Sequence, residues 1–141
     1  MRLTRFSDYA LRLLIYVASR PDQRTTIADA AEAYGISRNH LMKVANRLSQ
    51  AGLLKPSRGR TGGLALGRPA AAISLGDVLR ATEPDFALVG CMAGEGCAAA
   101  EFCRLPQAFD VALAAFLEAA DRQCLADFLL PPEFDRQLTP T

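Results

Sequence analysis

The sequence predicts a mainly α-helical protein: a winged helix-turn-helix with a long dimerisation helix and a cysteine-rich loop. Three observations predict it. Two short helical segments meet at Gly35 and are followed by a basic, glycine-rich hairpin, Arg58-Gly59-Arg60-Thr61-Gly62-Gly63. A long apolar helical pattern follows Pro106. Between them Cys91, Cys97 and Cys103 recur with five residues in each gap, among Gly90, Gly94 and Gly96.

Each element has a local reason. Ser7 is placed to cap a first helix over 7–19, with Phe6 and Leu11 as a hydrophobic staple. Leu11, Leu14, Ile15 and Ala18 form its expected buried stripe, and Pro21 ends it. A second helix over 26–34 carries Ile27, Ala30, Ala31 and Tyr34 on one face and stops at Gly35. Ser37 begins a third, which runs to about Ala51 with Leu41, Val44, Ala45 and Leu48 inward and Gly52 beyond its end. Residues 53–57 and 64–67 read as the two strands of the wing. Ser74 with Asp77 forms a capping box for a helix reaching Thr82, before Pro84. The cysteine loop spans 85–104.

After Pro106 a helix extends to about Arg122. Leu105, Phe109, Ala112, Phe116 and Ala119 alternate by four and three, as in a coiled-coil seam, so the helix is expected to pair with a second copy. The segment around Leu125, Phe128, Leu129 and Leu130 is expected to fold back, and Pro131-Pro132 to start a tail. The chain thus divides into a winged helix-turn-helix DNA-binding region (1–72), a connecting helix and loop (73–104), a dimerisation helix with its C-terminal segment (105–130) and a tail (131–141).

Charge supports a polyanion-binding first half. Residues 1–70 hold twelve Lys/Arg and four Asp/Glu, a net +8, whereas 71–141 hold four and eleven, a net −7. Arg2 and Arg5 precede an apolar stretch, but Asp8 and Arg12 interrupt it with helical spacing, so it is not read as a signal peptide. No apolar run has transmembrane length, and a cytoplasmic protein with no membrane contact is expected. In such a reducing compartment four cysteines point to metal or redox chemistry rather than disulfides.

The chemistry concentrates in two places. The second helix of a helix-turn-helix presents its start to the major groove. Here that start is Ser37, Arg38, Asn39 and His40, with Lys43 one turn on. Arg suits guanine and Asn suits adenine or a phosphate, whereas Lys43 and Arg47 are expected to position the phosphate backbone. Arg58 and Arg60 at the wing tip suit phosphates or the minor groove. No catalytic constellation is expected. The second place is the cysteine loop. Structural zinc sites pair their ligands by two to four residues, which five-residue gaps do not match. A thiol redox switch is the other alternative. Three thiols within thirteen residues favour an iron–sulfur cluster over both. A fourth ligand is needed, and Cys124, Glu95, Glu101, Asp8 and His40 are all open to that role. Cys124 is expected on the apolar side of a helix near Leu113, Leu117 and Ala120, as a packing residue.

Four segments together carry a resemblance: Met1 to Arg12, the Gly-Ile-Ser-Arg-Asn-His-Leu-Met-Lys-Val stretch ending at Val44, the Arg-Gly-Arg-Thr-Gly-Gly wing and the three-cysteine loop. The chain resembles the bacterial winged-helix iron–sulfur transcriptional repressors over nearly its whole length. Members that regulate cluster biogenesis carry a histidine three residues after the last cysteine, where this chain has Pro106. The nitric-oxide-sensing members, of the NsrR type, are similar instead in an N-terminal aspartate matching Asp8, contributed across the homodimer. The resemblance therefore implies a cluster held by Cys91, Cys97, Cys103 and the other subunit's Asp8, [4Fe-4S] in preference to [2Fe-2S]. Arg12, at the i+4 spacing, is expected to orient the Asp8 carboxylate.

It also implies a function. The cluster-loaded homodimer would bind a partly palindromic operator in double-stranded DNA and repress genes that detoxify nitric oxide. A carboxylate is a harder, weaker iron ligand than thiolate, so nitric oxide as the signal is expected to act there and release the DNA. Competing readings are a biogenesis or redox-responsive regulator of the same kind, a cluster-free repressor, and an iron–sulfur electron carrier. The last explains neither the basic half nor the wing.

Overall fold

The computed structural model describes residues 1–60 and 62–134. Five helices are present among them: α1 (Arg5–Ala18), α2 (Ile27–Tyr34), α3 (Arg38–Gln50), α4 (Leu75–Thr82) and α5 (Leu105–Asp121). Strands β1 (Leu54–Pro56) and β2 (Leu64–Leu66) pair antiparallel, with Leu54 opposite Leu66, Lys55 opposite Ala65 and Pro56 opposite Leu64. Single 3₁₀ turns occupy Ala70–Ala72, Gly90–Ala93 and Leu125–Phe128.

Local capping chemistry sets most boundaries. Thr26 and Asp29 close a reciprocal capping box at the start of α2, as do Ser74 and Asp77 for α4. Gly35 ends α2 at φ 62°, a left-handed conformation that costs a side chain but not glycine. The start of α1 differs from expectation. Thr4 is its N-cap, accepting the Ser7 N–H at 3.2 Å, and Ser7 lies fully buried inside the first turn. The Phe6–Leu11 staple accordingly does not form, because a staple needs the residue before the cap and the fourth helical residue. Those are Leu3 and Asp8. Ser37 does occupy the cap position of α3, but its hydroxyl makes no capping bond.

The core runs through α1. Leu13 and Leu14 meet Leu41, Val44 and Leu48 of α3, together with Leu53, Leu54, Ile73 and Val78, all at most 2 % exposed. Burying each such leucine contributes about 1.5–3 kcal/mol. Ala10 and Val17 join this face, whereas Leu11 and Ile15 are only partly buried, because α1 is enclosed by α3, α4, β2 and the C-terminal turn. The chain after α5 returns to this core. Leu125 is fully buried, its N–H donates to Ile73 O at 3.0 Å, and Leu75 N–H donates to Gln123 O at 2.9 Å. The Leu130 N–H then bonds Ser19 Oγ at 2.8 Å, and the Phe134 ring sits 6.2 Å from that of Tyr34. The expected tail therefore begins as a docked segment, and its residues 135–141 lie outside the described residues. No helix among the described residues is long and apolar enough to cross a membrane.

Candidate nucleic-acid interface and cysteine loop

The α2–turn–α3 unit presents one polar face. Leu41, Val44, Ala45 and Leu48 anchor α3 inward, which leaves Ser37, Arg38, Asn39, His40 and Lys43 exposed. His40 and Lys43 line a small cleft of about 170 Å³ with Arg5, Phe6 and Tyr9 of α1. Arg58 and Arg60 are exposed at the wing tip. The wing is held against the start of α2. Leu64 N–H donates to Thr25 O at 2.7 Å, and Arg24 Nε to Gly62 O at 2.9 Å. Gly63 permits this close approach, since a Cβ there would press to 2.9 Å from Ser57 Oγ and 3.2 Å from Thr25 O. Arg24 carries no signal in the sequence, and nothing but the folded wing reveals it. Arg47 has a partner that the sequence did not suggest: its Nε donates to the Ala81 carbonyl of α4 at 2.6 Å.

The cysteine loop is bonded to itself. Glu95 N–H donates to Gly90 O, Gly94 N–H to Cys91 O, Ala100 N–H to Cys97 O, and Cys103 N–H to Ala99 O, each at 2.9–3.3 Å. Glu95 folds its carboxylate over Gly90, where a Cβ would collide with it. All four cysteines are free thiols; Cys97 is exposed, and Cys91 and Cys103 are half-buried. Among the described residues no three His, Cys, Asp or Glu side chains gather closely enough to hold a metal ion. Within one chain, therefore, the loop supplies thiols of the right chemistry without converging them.

Cys124 stands apart, and not where the helical spacing placed it. Helix α5 ends at Asp121, so Cys124 is off the helix, at the start of the last 3₁₀ turn. Its thiol donates to the Asp127 carboxylate at 3.2 Å and its N–H to the same group at 2.8 Å, which holds the Asp127 carboxyl below its ordinary pKa. It is a half-buried turn-capping residue, because Ser74 bridges to Cys124 and pulls the chain out of the helix.

Asp8 stands half-exposed on α1. Arg12 meets it with two contacts, Nε at 3.1 Å and an outer nitrogen at 3.0 Å. The same guanidinium lies 5.8 Å from the Tyr34 ring centre at the end of α2. A second cluster, invisible from local sequence, joins α1 to the root of the loop. Glu83 accepts from Thr4 N–H and from the Thr4 hydroxyl, both at 2.9 Å, and from the Ser7 hydroxyl. Ser7 and Thr82 hydroxyls are 2.7 Å apart. Partial burial pushes the Glu83 carboxyl up, but the Ser7 and Thr4 bonds outweigh it, and the net pKa is lowered.

Helix α5 has two apolar faces. Pro106, Phe109, Leu113, Leu117 and Ala120 are its less exposed positions, and Arg80 clamps Asp121 to α4 with bonds of 2.6 and 2.8 Å. Of the expected seam, Leu105, Ala112, Phe116 and Ala119 are exposed, whereas Phe109 is half-buried. Phe109, Leu113 and Phe116 line a groove of about 500 Å³ with Met1, Leu3 and Phe86.

A helix-turn-helix with a basic wing, joined to a helix that keeps an open apolar face, defines a DNA-binding winged-helix transcriptional regulator rather than an enzyme. Residues 3–130 match the Rrf2 family, described as iron-dependent transcriptional regulators, and the chain belongs to it. Among solved structures it is similar to CymR (YrzC), the global cysteine regulator of B. subtilis, at 25% identity and TM-score 0.71, over 90% of this chain and 95% of that one. The oxidized form of Staphylococcus aureus CymR is 27% identical with TM-score 0.67, over 89% and 93%. IscR of T. potens is 22% identical with TM-score 0.69, over 90% and 85%, and shares the fold.

Proposed function

We propose that this Rrf2-family regulator is a nitric-oxide-sensing iron–sulfur repressor that acts as a homodimer on operator DNA. Cys91, Cys97 and Cys103 of one subunit and Asp8 of the other would hold the cluster, [4Fe-4S] in preference to [2Fe-2S]. The observation that carries this reading is the loop. It offers three free thiols, and its backbone bonds are short turns within itself. When bound, the cluster supplies an iron open to nitric oxide at its weakest protein ligand.

The chain's own residues would do the rest. Asp8 is half-exposed and is not gathered with the cysteines of its own chain, which fits donation across a dimer. Arg12 fixes the carboxylate in one orientation and carries its position to Tyr34, the last residue of α2. The exposed apolar stripe of α5 supports pairing of two copies through that helix. Ser37, Arg38, Asn39 and His40 would meet base edges, and Lys43, Arg58 and Arg60 the phosphates and minor groove. The expected segments, 1–72 for DNA, 73–104 for the loop, 105–130 for pairing and 131–141 as a tail, are part of this proposal.

A thiol-responsive repressor without a cluster is the second reading, favoured by the ungathered thiols. One experiment separates them: anaerobic purification with the visible spectrum, and operator binding before and after nitric oxide. Brown protein whose operator affinity falls with nitric oxide supports the cluster reading; colourless protein that responds to thiol oxidation supports the other. Asp8→Ala should keep a cluster on three thiolates but bind the operator less tightly. An unchanged spectrum and affinity would remove Asp8 from the ligand set.

A further inference from the structure

The last turn of α4 is gripped from two sides. On one side Arg47, in the last turn of α3, donates from Nε to the Ala81 carbonyl at 2.6 Å. That carbonyl is among the four at a helix end that lack an intrahelical donor, so a cation satisfies it well. On the other side the Thr82 hydroxyl meets Ser7, and Glu83 accepts from Thr4 and Ser7 of α1. The next residue is Pro84, immediately before the cysteine loop. Residues 81–83 are thus the covalent root of the loop, the far end of a polar clasp on α1, and the acceptor for a side chain of the DNA-reading helix.

We propose that Arg47 is a positioning residue that couples the root of the cysteine loop to α3 within one subunit. This rests on the reading of the loop as the sensing element, and adds a route that does not pass through the partner's Asp8. A shift of the loop root moves the Ala81 carbonyl, and Arg47 follows it because the bond is short and charge-assisted. Helix α3 responds as a rod, since Leu41, Val44 and Leu48 fix its inner face. Arg38 lies nine residues from Arg47, about 13 Å along the axis at the helical rise. A displacement at one end therefore re-aims the other, where the base-contacting residues stand.

Two measurements on full-length protein test this. The first is operator affinity of the cluster-loaded and cluster-free forms of wild type and Arg47→Met. Coupling predicts an unchanged visible spectrum and a loaded-to-free affinity ratio reduced by about fivefold or more. A plain phosphate contact predicts the same loss in both forms, with an unchanged ratio and a shallower salt dependence; that result overturns the proposal. The second needs no cluster: hydrogen exchange of the α3 amides in Ser7→Ala and in Glu83→Ala, each made both in wild type and in the Arg47→Met background. Loosening the clasp should speed exchange near Leu48 when Arg47 is present and not when it is replaced. Equal responses in both backgrounds overturn the coupling. Colourless protein with this exchange link intact would overturn the reading of the loop and leave the coupling standing.

Discussion

Ser7→Ala should destabilise the protein by about the worth of the hydrogen bonds its buried hydroxyl makes. Ser7 is fully buried, and its hydroxyl contacts both Thr82, at 2.7 Å, and the Glu83 carboxylate. A proton count orders these contacts. The Ser7 proton goes to Glu83, so Thr82 must donate to Ser7 or to Val78 O, which it also reaches at 2.8 Å. In the alanine variant Thr82 falls back on Val78, and Glu83 keeps both Thr4 donors, so no group is orphaned. A hydrogen bond to a charged group is worth about 1.5–3 kcal/mol and a neutral one about 1 kcal/mol. Glu83 is only partly buried and stays paired, which places the loss at about 1–2 kcal/mol. Urea unfolding reads this as a midpoint lowered by about 0.5–1 M at an unchanged slope. A double-mutant cycle with Glu83→Gln should show a coupling of about 0.5 kcal/mol or more. A Ser7→Ala midpoint within error of wild type, or strict additivity in the cycle, would refute the clasp between α1 and the loop root.

The same carboxylate sets a pH dependence. Its folded pKa lies below the ordinary value of 4.5, so its stabilisation is complete above that pH and is lost as pH falls through the folded value. The difference between the urea midpoints of wild type and Glu83→Gln should therefore be full at neutral pH and shrink as pH falls below the ordinary carboxylate value, and a constant difference would contradict the assignment. Replacing Cys91, Cys97 or Cys103 with Ala should abolish visible absorbance, whereas Cys124→Ala should keep it, because Cys124 caps a turn against Asp127; iron content and absorbance decide. Arg38→Ala should cost about 1–3 kcal/mol of operator binding and relax base preference, read by competition with altered operators. Lys43→Ala should weaken all sequences alike and lower the salt slope by about one.

Sequence alone determined the elements whose causes are local. The capping box Ser74–Asp77, the stop at Gly35 and the inward stripe of α3 each depend on residues close in sequence, a range that helical periodicity exposes, whereas the Thr26–Asp29 box is equally local but showed only in the structure. The exposure of Arg38 and Lys43 and the Asp8–Arg12 pair, one turn apart, were legible for the same reason, and the wing was legible from its glycine-rich turn between two short strands. The tertiary structure decided what depends on distant partners. Ser7 reads as a cap until Thr82 and Glu83 arrive from the far side of the fold and bury it. Arg47 reads as a phosphate contact alone, and only the packing of α4 beside α3 shows that its Nε also reaches the Ala81 carbonyl. Cys124 reads as helical until an antiparallel bridge to Ser74 takes its backbone away. In each case the local pattern permits several hydrogen-bond partners, and the packing of separate elements decides which of them is within reach; for Ser7, which is fully buried, leaving the hydroxyl unpaired would cost free energy as well.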